Sequence, residues 1–497
     1  MPEEYIFAID QGTSGTKAVI FNSSGQIVVK ASAELQSVYP RVGFVEQSPE
    51  EIYQNVLRAA RLCVQKFTEK VTRDLSQIKC CGISNQRETL ILWDKNGQPL
   101  YNAIVWQCKR SVNICERLQK SGMEKDINKR TGLIFDPYFS GTKVMWLYEN
   151  NQHIRETIQK GKTLFGTVDS WLLYRLTKGK SYFTDFTNAS RTLFFNINEL
   201  AWDPYLLSFF GLENLNLPEP RPSSYTYGET DFEGLLPKPV PVTGMIGDSH
   251  AAAFGEGCFF TGSAKVTMGT GSSILMNTGS KIINSQNGMV STICWSIEGR
   301  TDYALEGIIV SCGATIKWLR DQLGLFENAG ETEKMAAAVE SNNGVYLVPA
   351  FSGLGAPHWK MDARAAIMGL TFGCDKNHIV RAALESIPYQ IKDVITAMEK
   401  DSGISLAELM AHGGITANRF VMSFLADLLG TNVKNIGMEE VSALGAAYMA
   451  GLGAGIYKSI ADLEGINSDK TCFSPGENRS SVQKDYSGWL KMIKLIG

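Results

Sequence analysis

The sequence holds no uninterrupted run approaching the ~18 to 20 apolar residues that a membrane-spanning helix needs. It has no Cys-x-x-Cys pair. Its 10 cysteines are scattered, with Cys80 and Cys81 merely adjacent, which excludes the usual metal spacings and fits reduced thiols packed as small apolar groups. No cluster of Lys and Arg with interleaved aromatics occurs, and the net charge is −3, so neither nucleic acid nor an anionic membrane is expected as the main partner. Low-complexity stretches are missing, as is the Gly-x-x-x-x-Gly-Lys-Ser/Thr loop of the P-loop nucleotide binders. Met1-Pro2-Glu3-Glu4 is acidic and leads straight into an apolar run, which reads as no signal peptide; a cytoplasmic protein is expected. What remains is a globular chain of 497 residues, 44% hydrophobic and 20% charged, too long for one ordinary core and expected to form two large domains.

The most informative stretch is Phe7-Ala8-Ile9-Asp10-Gln11-Gly12-Thr13-Ser14-Gly15-Thr16-Lys17-Ala18-Val19-Ile20-Phe21. Two short β-rich apolar runs flank a glycine turn, which predicts a hairpin. Gly12 and Gly15 free backbone amides to face an anion, Thr13, Ser14 and Thr16 add hydroxyl donors, and Lys17 adds a cation. Asp10 closes the first strand, where a carboxylate can hold magnesium directly or through water. A second turn of this kind is Met268-Gly269-Thr270-Gly271-Ser272-Ser273, followed by Ile274-Leu275-Met276. A third, Gly413-Gly414-Ile415-Thr416-Ala417-Asn418, precedes a helical pattern. Three such turns suggest two halves facing each other across a nucleotide.

The rest of the pattern alternates hairpins and helices, as in an α/β chain with mixed strand directions. Helices are expected over residues 50–67, 308–323 and 378–398, with two more beginning near Asn418 and Ser442. Strands are expected over 78–83 and 90–93, and the proline-bearing passages 217–222 and 236–239 read as surface connections. The division between domains, 1–254 and 255–497, falls after a helix expected to begin at Ser249-His250-Ala251.

These residues resemble a known family, the FGGY carbohydrate kinases, over roughly residues 5 to 490, and within it the glycerol kinase branch. Tyr138-Phe139-Ser140-Gly141-Thr142-Lys143-Val144-Met145-Trp146-Leu147 matches its first signature, and Gly369-Leu370 with His378-Ile379 and Ala382-Ala383-Leu384-Glu385 its second. Asn85-Gln86-Arg87-Glu88-Thr89, Ala103-Ile104-Val105-Trp106-Gln107-Cys108 and the run from Val348 to Pro357 are similar to the glycerol-phosphorylating members. The resemblance implies two actin/heat-shock-ATPase-like (ribonuclease H-like) domains, each a mixed sheet flanked by helices, with ATP and a polyol in the cleft between them. It further implies a homo-oligomer, dimer or tetramer, and transfer of the γ-phosphoryl of MgATP to a primary hydroxyl.

The roles carried over follow from that chemistry. Asp248, in Gly247-Asp248-Ser249-His250, stands where the family places the general base, and with Asp10 it would hold magnesium. Gly12, Thr13, Ser14, Gly15, Lys17 and Thr270 would meet phosphate, while Gly313, Lys317, Gly414 and Asn418 fall at nucleotide-contacting positions. Lys17 and Lys317 stand where related chains more often carry Arg and Gln. Arg87 and Glu88 would fix neighbouring hydroxyls of the polyol, Trp106 would wall its carbon chain and Tyr138 would offer a hydroxyl contact.

Two departures fall at one end of the substrate site. Ser249 replaces the Gln usual in glycerol kinases, and Ser273 replaces a Phe. Smaller, polar side chains there would suit a substrate longer than glycerol, a tetritol, pentitol, tetrulose or pentulose, with a hydroxyl meeting Ser249, Ser273 or His250. A catalytically silent sugar sensor is the remaining alternative, and the presence of Asp10, Asp248, Arg87 and Glu88 together argues against it. Residues 154–249 contain no His, which argues against control through a phosphorylated histidine ahead of Asp248.

Overall fold

The computed structural model describes residues 3–466, 470–477 and 479–496. Two mixed sheets carry the fold. The first is built from β1 (Tyr5–Gln11), β2 (Gly15–Asn22), β3 (Ile27–Glu34), β4 (Ile78–Asn85), β5 (Ser224–Thr230) and β6 (Val240–Gly247), in the spatial order β5-β6-β4-β1-β2-β3. Strands β1 to β3 form an antiparallel meander, and β4 and β6 join parallel to β1 and to each other. The second sheet uses β7 (Ser263–Met268), β8 (Ser272–Gly279), β9 (Val290–Ile297), β10 (Arg300–Ile309), β11 (Glu408–His412), β12 (Val433–Asn435) and β13 (Thr471–Phe473). Its order is β9-β10-β8-β7-β11-β12-β13, with β11 parallel to β7 and β12 parallel to β11. Each half thus pairs a glycine-turn hairpin with parallel strands on the hairpin's first strand, the same arrangement twice. No helix of the described residues is long and apolar enough to cross a membrane.

Helices flank both sheets. Helix α1 (Pro49–Lys70) starts where Ser48 accepts from the Glu51 amide, with Pro49 in the first turn and Glu50 and Glu51 favourable to its positive end. Its face of Ile52, Val56, Ala59, Ala60 and Cys63 covers the first sheet. Next come α2 (Ser140–Asn150), α3 (Asp248–Glu256), α4 (Gly313–Asp321), α5 (Lys376–Ser402), α6 (Arg419–Leu429), α7 (Val441–Gly453) and α8 (Arg479–Leu495).

Two expectations change. The helix expected from residue 308 begins only at Gly313, because Ile308 and Ile309 continue the buried strand β10 in ladder with β8. A short apolar run does not declare its own period. The passage 217–222 is no plain connection, since Glu219–Arg221 pairs in parallel with Phe183–Asp185. Helix α7, though late in the chain, is packed with α3 between the two sheets, in a core that joins Ile6, Ala8 and Cys80 of the first to Leu275, Trp295 and Met410 of the second.

Small residues make that packing possible. A Cβ on Gly445 of α7 would lie 1.8 Å from the Ala251 carbonyl of α3, and one on Gly82 of β4 would lie 2.2 Å from the Ala446 carbonyl. Backbone cannot give way there as a flexible side chain would. Gly445→Ala is therefore expected to destabilise the protein by about 1–3 kcal/mol or more through overpacking. Chemical denaturation checks this, and an unchanged midpoint would contradict it. The same contact bears on the site, because Asp248 opens α3 and Ser442 of α7 donates to its backbone carbonyl at 3.1 Å.

Candidate active site

The carboxyl ends of β1, β4 and β6 bring Asp10, Arg87, Glu88 and Asp248 to one cleft, facing β8 and β10 of the other half. Asp248 is an accessible acid of this group: its side chain is 37% exposed, against 1% for Glu88. The Ser249 amide donates to Asp248 Oδ1 at 2.7 Å, and Arg87 Nε lies 3.3 Å from that oxygen.

Arg87 and Glu88 are both buried. Glu88 holds φ at +58°, in the left-handed region unusual for a residue with a side chain, and the Ser140 hydroxyl pins its carbonyl at 2.8 Å. The kink sends the two side chains to separate partners. Arg87 donates through Nη1 and Nη2 to both oxygens of Glu306, at 3.2 and 2.9 Å, while Glu88 Oε1 accepts from Arg191 Nε at 2.5 Å. Arg191 Nη1 also approaches Glu306 at 2.7 Å. Burial pushes the Glu306 carboxyl up, but Arg191 and Arg87 outweigh it and hold it well below the ordinary range. Glu88 stays raised, burial outweighing Arg191 and Arg87.

Glu306, Arg191 and Lys265 are site residues that sequence reasoning passed over. Two of them were signalled: Glu306 and Lys265 are lone charges inside apolar strand runs, which a strand does not bury without a partner. Lys265 donates to Ser249 Oγ at 2.6 Å and to Thr267 Oγ1 at 2.9 Å, and Ser273 Oγ donates to Glu306 Oε1 at 3.1 Å. His250, the other residue expected near the substrate, is fully buried. Its Nε2 lies 3.3 Å from Thr292 Oγ1, and burial followed by the charge of Arg87 drives its pKa well down, so it packs as a neutral ring.

Trp106 and Tyr138 stand together, ring centroids 5.4 Å apart, both half-buried. Their loops are tied by buried Lys143 of α2, whose ammonium donates to the carbonyls of Tyr138 at 2.8 Å and of Val105 and Trp106 at 3.4 Å. Burial lowers that lysine to about 7. The Trp106 indole also donates to Thr13 Oγ1 at 2.9 Å, joining the aromatic wall to the first glycine turn.

That turn is closed by Gly12 N–H donating to the Gly15 carbonyl at 2.9 Å, with Ser14 exposed. Asp10 lies in β1 opposite Lys17 of β2. Lys17 is paired: its ammonium meets Glu440 at 2.6 Å, a carboxylate just ahead of α7 that also takes Lys30. Asp10 is raised to about 6, first by burial and then by the charge of Asp248.

The second and third glycine turns converge in the other half. The Cys312 amide donates to the Thr270 carbonyl at 2.9 Å, and that of Gly313 to the Gly269 carbonyl at 2.9 Å, so α4 starts against the turn. Gly413, at φ +105°, presses on Met268, whose carbonyl a Cβ would approach to 2.4 Å. Gly414 beside it is exposed. Asn418 caps α6, accepting from the Val421 amide at 3.1 Å and donating to Thr332 Oγ1 at 3.2 Å. Lys317 is exposed on α4, one turn ahead of Asp321. His412 pairs through Nδ1 with buried Glu256 at 3.0 Å, tying β11 to the end of α3.

Known proteins match this architecture end to end. A glycerol kinase of Thermoanaerobacter pseudethanolicus is 47% identical over 493 residues, spanning 99% of this chain and 98% of its own. One of Brevibacillus brevis is 46% identical over 494 residues with the same coverage. The crystal structure of Plasmodium falciparum glycerol kinase with ADP superposes with a TM-score of 0.94 at 36% identity, covering 99% of this chain and 98% of that one. A ligand-bound xylulose kinase from Lactobacillus acidophilus shares the fold, with a TM-score of 0.88 at 21% identity over 99% and 98% of the two chains. Models of the N-terminal and C-terminal domains of one family match residues 5–255 and 264–454, the segments that carry the first sheet, all but the last strand of the second, and the glycine turns. With two glycine-turn halves closing on a carboxylate-and-guanidinium cleft, the chain belongs to the FGGY family of carbohydrate kinases.

Proposed function

We propose that the protein transfers the γ-phosphoryl group of ATP to a primary hydroxyl of glycerol, giving glycerol 3-phosphate. The observation that carries this reading is the accessible Asp248 carboxylate set beside buried Arg87. Asp248 accepts the proton of the attacking hydroxyl as its oxygen closes on phosphorus, and orients that oxygen in line. Arg87 donates to one neighbouring hydroxyl and Glu88 accepts from another, while Trp106 and Tyr138 cover the carbon chain and exclude water. Gly12, Thr13, Ser14 and Thr270 offer donors to the phosphates; Gly313, Gly414, Asn418 and Lys317 border the nucleoside. Lys17 contributes charge near Asp10 despite its pairing with Glu440.

Magnesium fits the donor set. Asp10 and Asp248 are hard oxygen donors close enough for the Asp248 charge to act on Asp10, and two carboxylates suit an ion that keeps waters and takes the rest of its ligands from phosphate. Among the described residues no group of three or more such ligands occurs, consistent with a site completed by the nucleotide. Bound there, the ion would neutralise phosphate charge in the transition state. Asp10 must be ionised to bind it, so apparent magnesium affinity is expected to weaken as pH falls through about 6, where Asp10 takes up its proton. The magnesium dependence of kcat/KM for ATP measured from pH 5 to 8 checks this. An affinity flat across that range, or an acid limb unchanged in Asp10→Asn, would contradict the assignment.

Glycerol is tested by ADP release from MgATP with glycerol as acceptor and a no-acceptor blank. Turnover no faster than the blank would overturn the reading.

A further inference from the structure

Four residues in the cleft form a directional hydrogen-bond chain. Lys265 Nζ can only donate, and it does so to Ser249 Oγ at 2.6 Å. Glu306 can only accept while ionised, and it takes the Ser273 hydroxyl at 3.1 Å. The two serine oxygens stand 3.4 Å apart. With the Ser273 proton committed to Glu306, the contact between the serines must run from Ser249 to Ser273. It is also the weakest of the three, long for a bond between two hydroxyls. Both serines are half-exposed while Lys265 and Glu306 are buried, so the chain shows only its middle to the cleft. That middle lies beside Asp248 and, through Glu306, is joined to Arg87.

We propose that the Ser249–Ser273 pair is a subsite for one further hydroxyl, extending the acceptors of this kinase from glycerol to four-carbon alditols. The inference rests on the phosphoryl-transfer reading above. A hydroxyl entering between the serines accepts from Ser249 and donates to Ser273, so one weak bond is exchanged for two. The end charges fix this polarity. A carbonyl at the same place can take the Ser249 proton but has none to give Ser273, and a methyl group satisfies neither. Serine at both positions takes less space than the Gln and Phe usual there in glycerol kinases. Phosphoryl transfer itself is unchanged: the O–H bond of the primary alcohol breaks toward Asp248, the new O–P bond forms, and ADP leaves with the electrons of the broken P–O bond.

The test measures ADP release from MgATP by the full-length protein with glycerol, erythritol, D- and L-threitol and butane-1,2,3-triol. The last has four carbons but lacks the added hydroxyl. At least one tetritol is expected within tenfold of glycerol in kcat/KM, and at least tenfold above butane-1,2,3-triol. Ser249→Ala and Ser273→Ala are each expected to lower the tetritol-to-glycerol ratio of kcat/KM fivefold or more. If either variant fails to fold, the wild-type comparison with butane-1,2,3-triol decides alone. Glycerol turnover with every tetritol below one hundredth of it, or tetritols no better than butane-1,2,3-triol, overturns the subsite and leaves the glycerol reading standing. Turnover of none of these acceptors overturns both.

Discussion

Asp248→Asn is expected to lower kcat by about 10²- to 10⁴-fold, the range a positioned general base contributes. The amide keeps the shape of the carboxylate and can still accept from the Ser249 amide, so the start of α3 is preserved. What it loses is the capacity to take a proton from the alcohol. In the proposed binding mode the polyol is held elsewhere, by Arg87, Glu88, Trp106 and Tyr138, so KM for glycerol is expected to move far less than kcat. Initial-rate kinetics, with thermal unfolding to show an intact fold, separate the two. A kcat within tenfold of wild type would reduce Asp248 to an orienting group.

Glu306→Gln has the largest expected effect on stability. The buried carboxylate receives both terminal nitrogens of Arg87, approaches Arg191 and accepts from Ser273. Removing its charge leaves two buried guanidinium groups short of a counter-ion. Breaking a buried pair by one partner costs about 3–5 kcal/mol. At about 2–4 °C per kcal/mol for a domain of this size, the melting temperature falls by roughly 6–20 °C. The sign of the pH dependence follows from the depressed carboxyl. Its folded value lies below the ordinary 4.5, so its contribution is fully present above that value and is lost as pH falls through the folded one. The gap between wild type and variant is therefore widest at neutral pH and narrows below about 4.5. Denaturation at pH 7 and pH 4 checks both, and equal stabilities at pH 7 would show the network to be dispensable. Glycerol KM is expected to rise in the same variant, because Arg87 loses the carboxylate that aims it.

The hairpin of β1 and β2 was legible because its signal is local. Strand propensity, turn chemistry and the spacing of Gly12 and Gly15 lie within fifteen residues of one another. The boundary at Ile308 was not, since a short buried strand and the first turn of a buried helix share one apolar pattern, and the ladder to β8 decides between them. His250 shows the same gap in the site. Two residues after Asp248 it looks like a substrate contact, yet those two steps along α3 turn it into the core toward Thr292.

By itself, the sequence determined the fold class, the three glycine turns and the residue types able to move a phosphoryl group, because each is written in short-range pattern or in family motif. Only the tertiary structure decided which charges meet. Arg87 finds Glu306 rather than its neighbour Glu88, because the backbone kink at Glu88 parts them. Lys17 turns to Glu440, and Lys265 to Ser249, across hundreds of residues in one case and between two elements in the other. Where the charge is buried, as on Arg87 and Lys265, it takes whichever polar partner the packing of α3, α7 and the two sheets brings within reach, since desolvation leaves it no alternative in water.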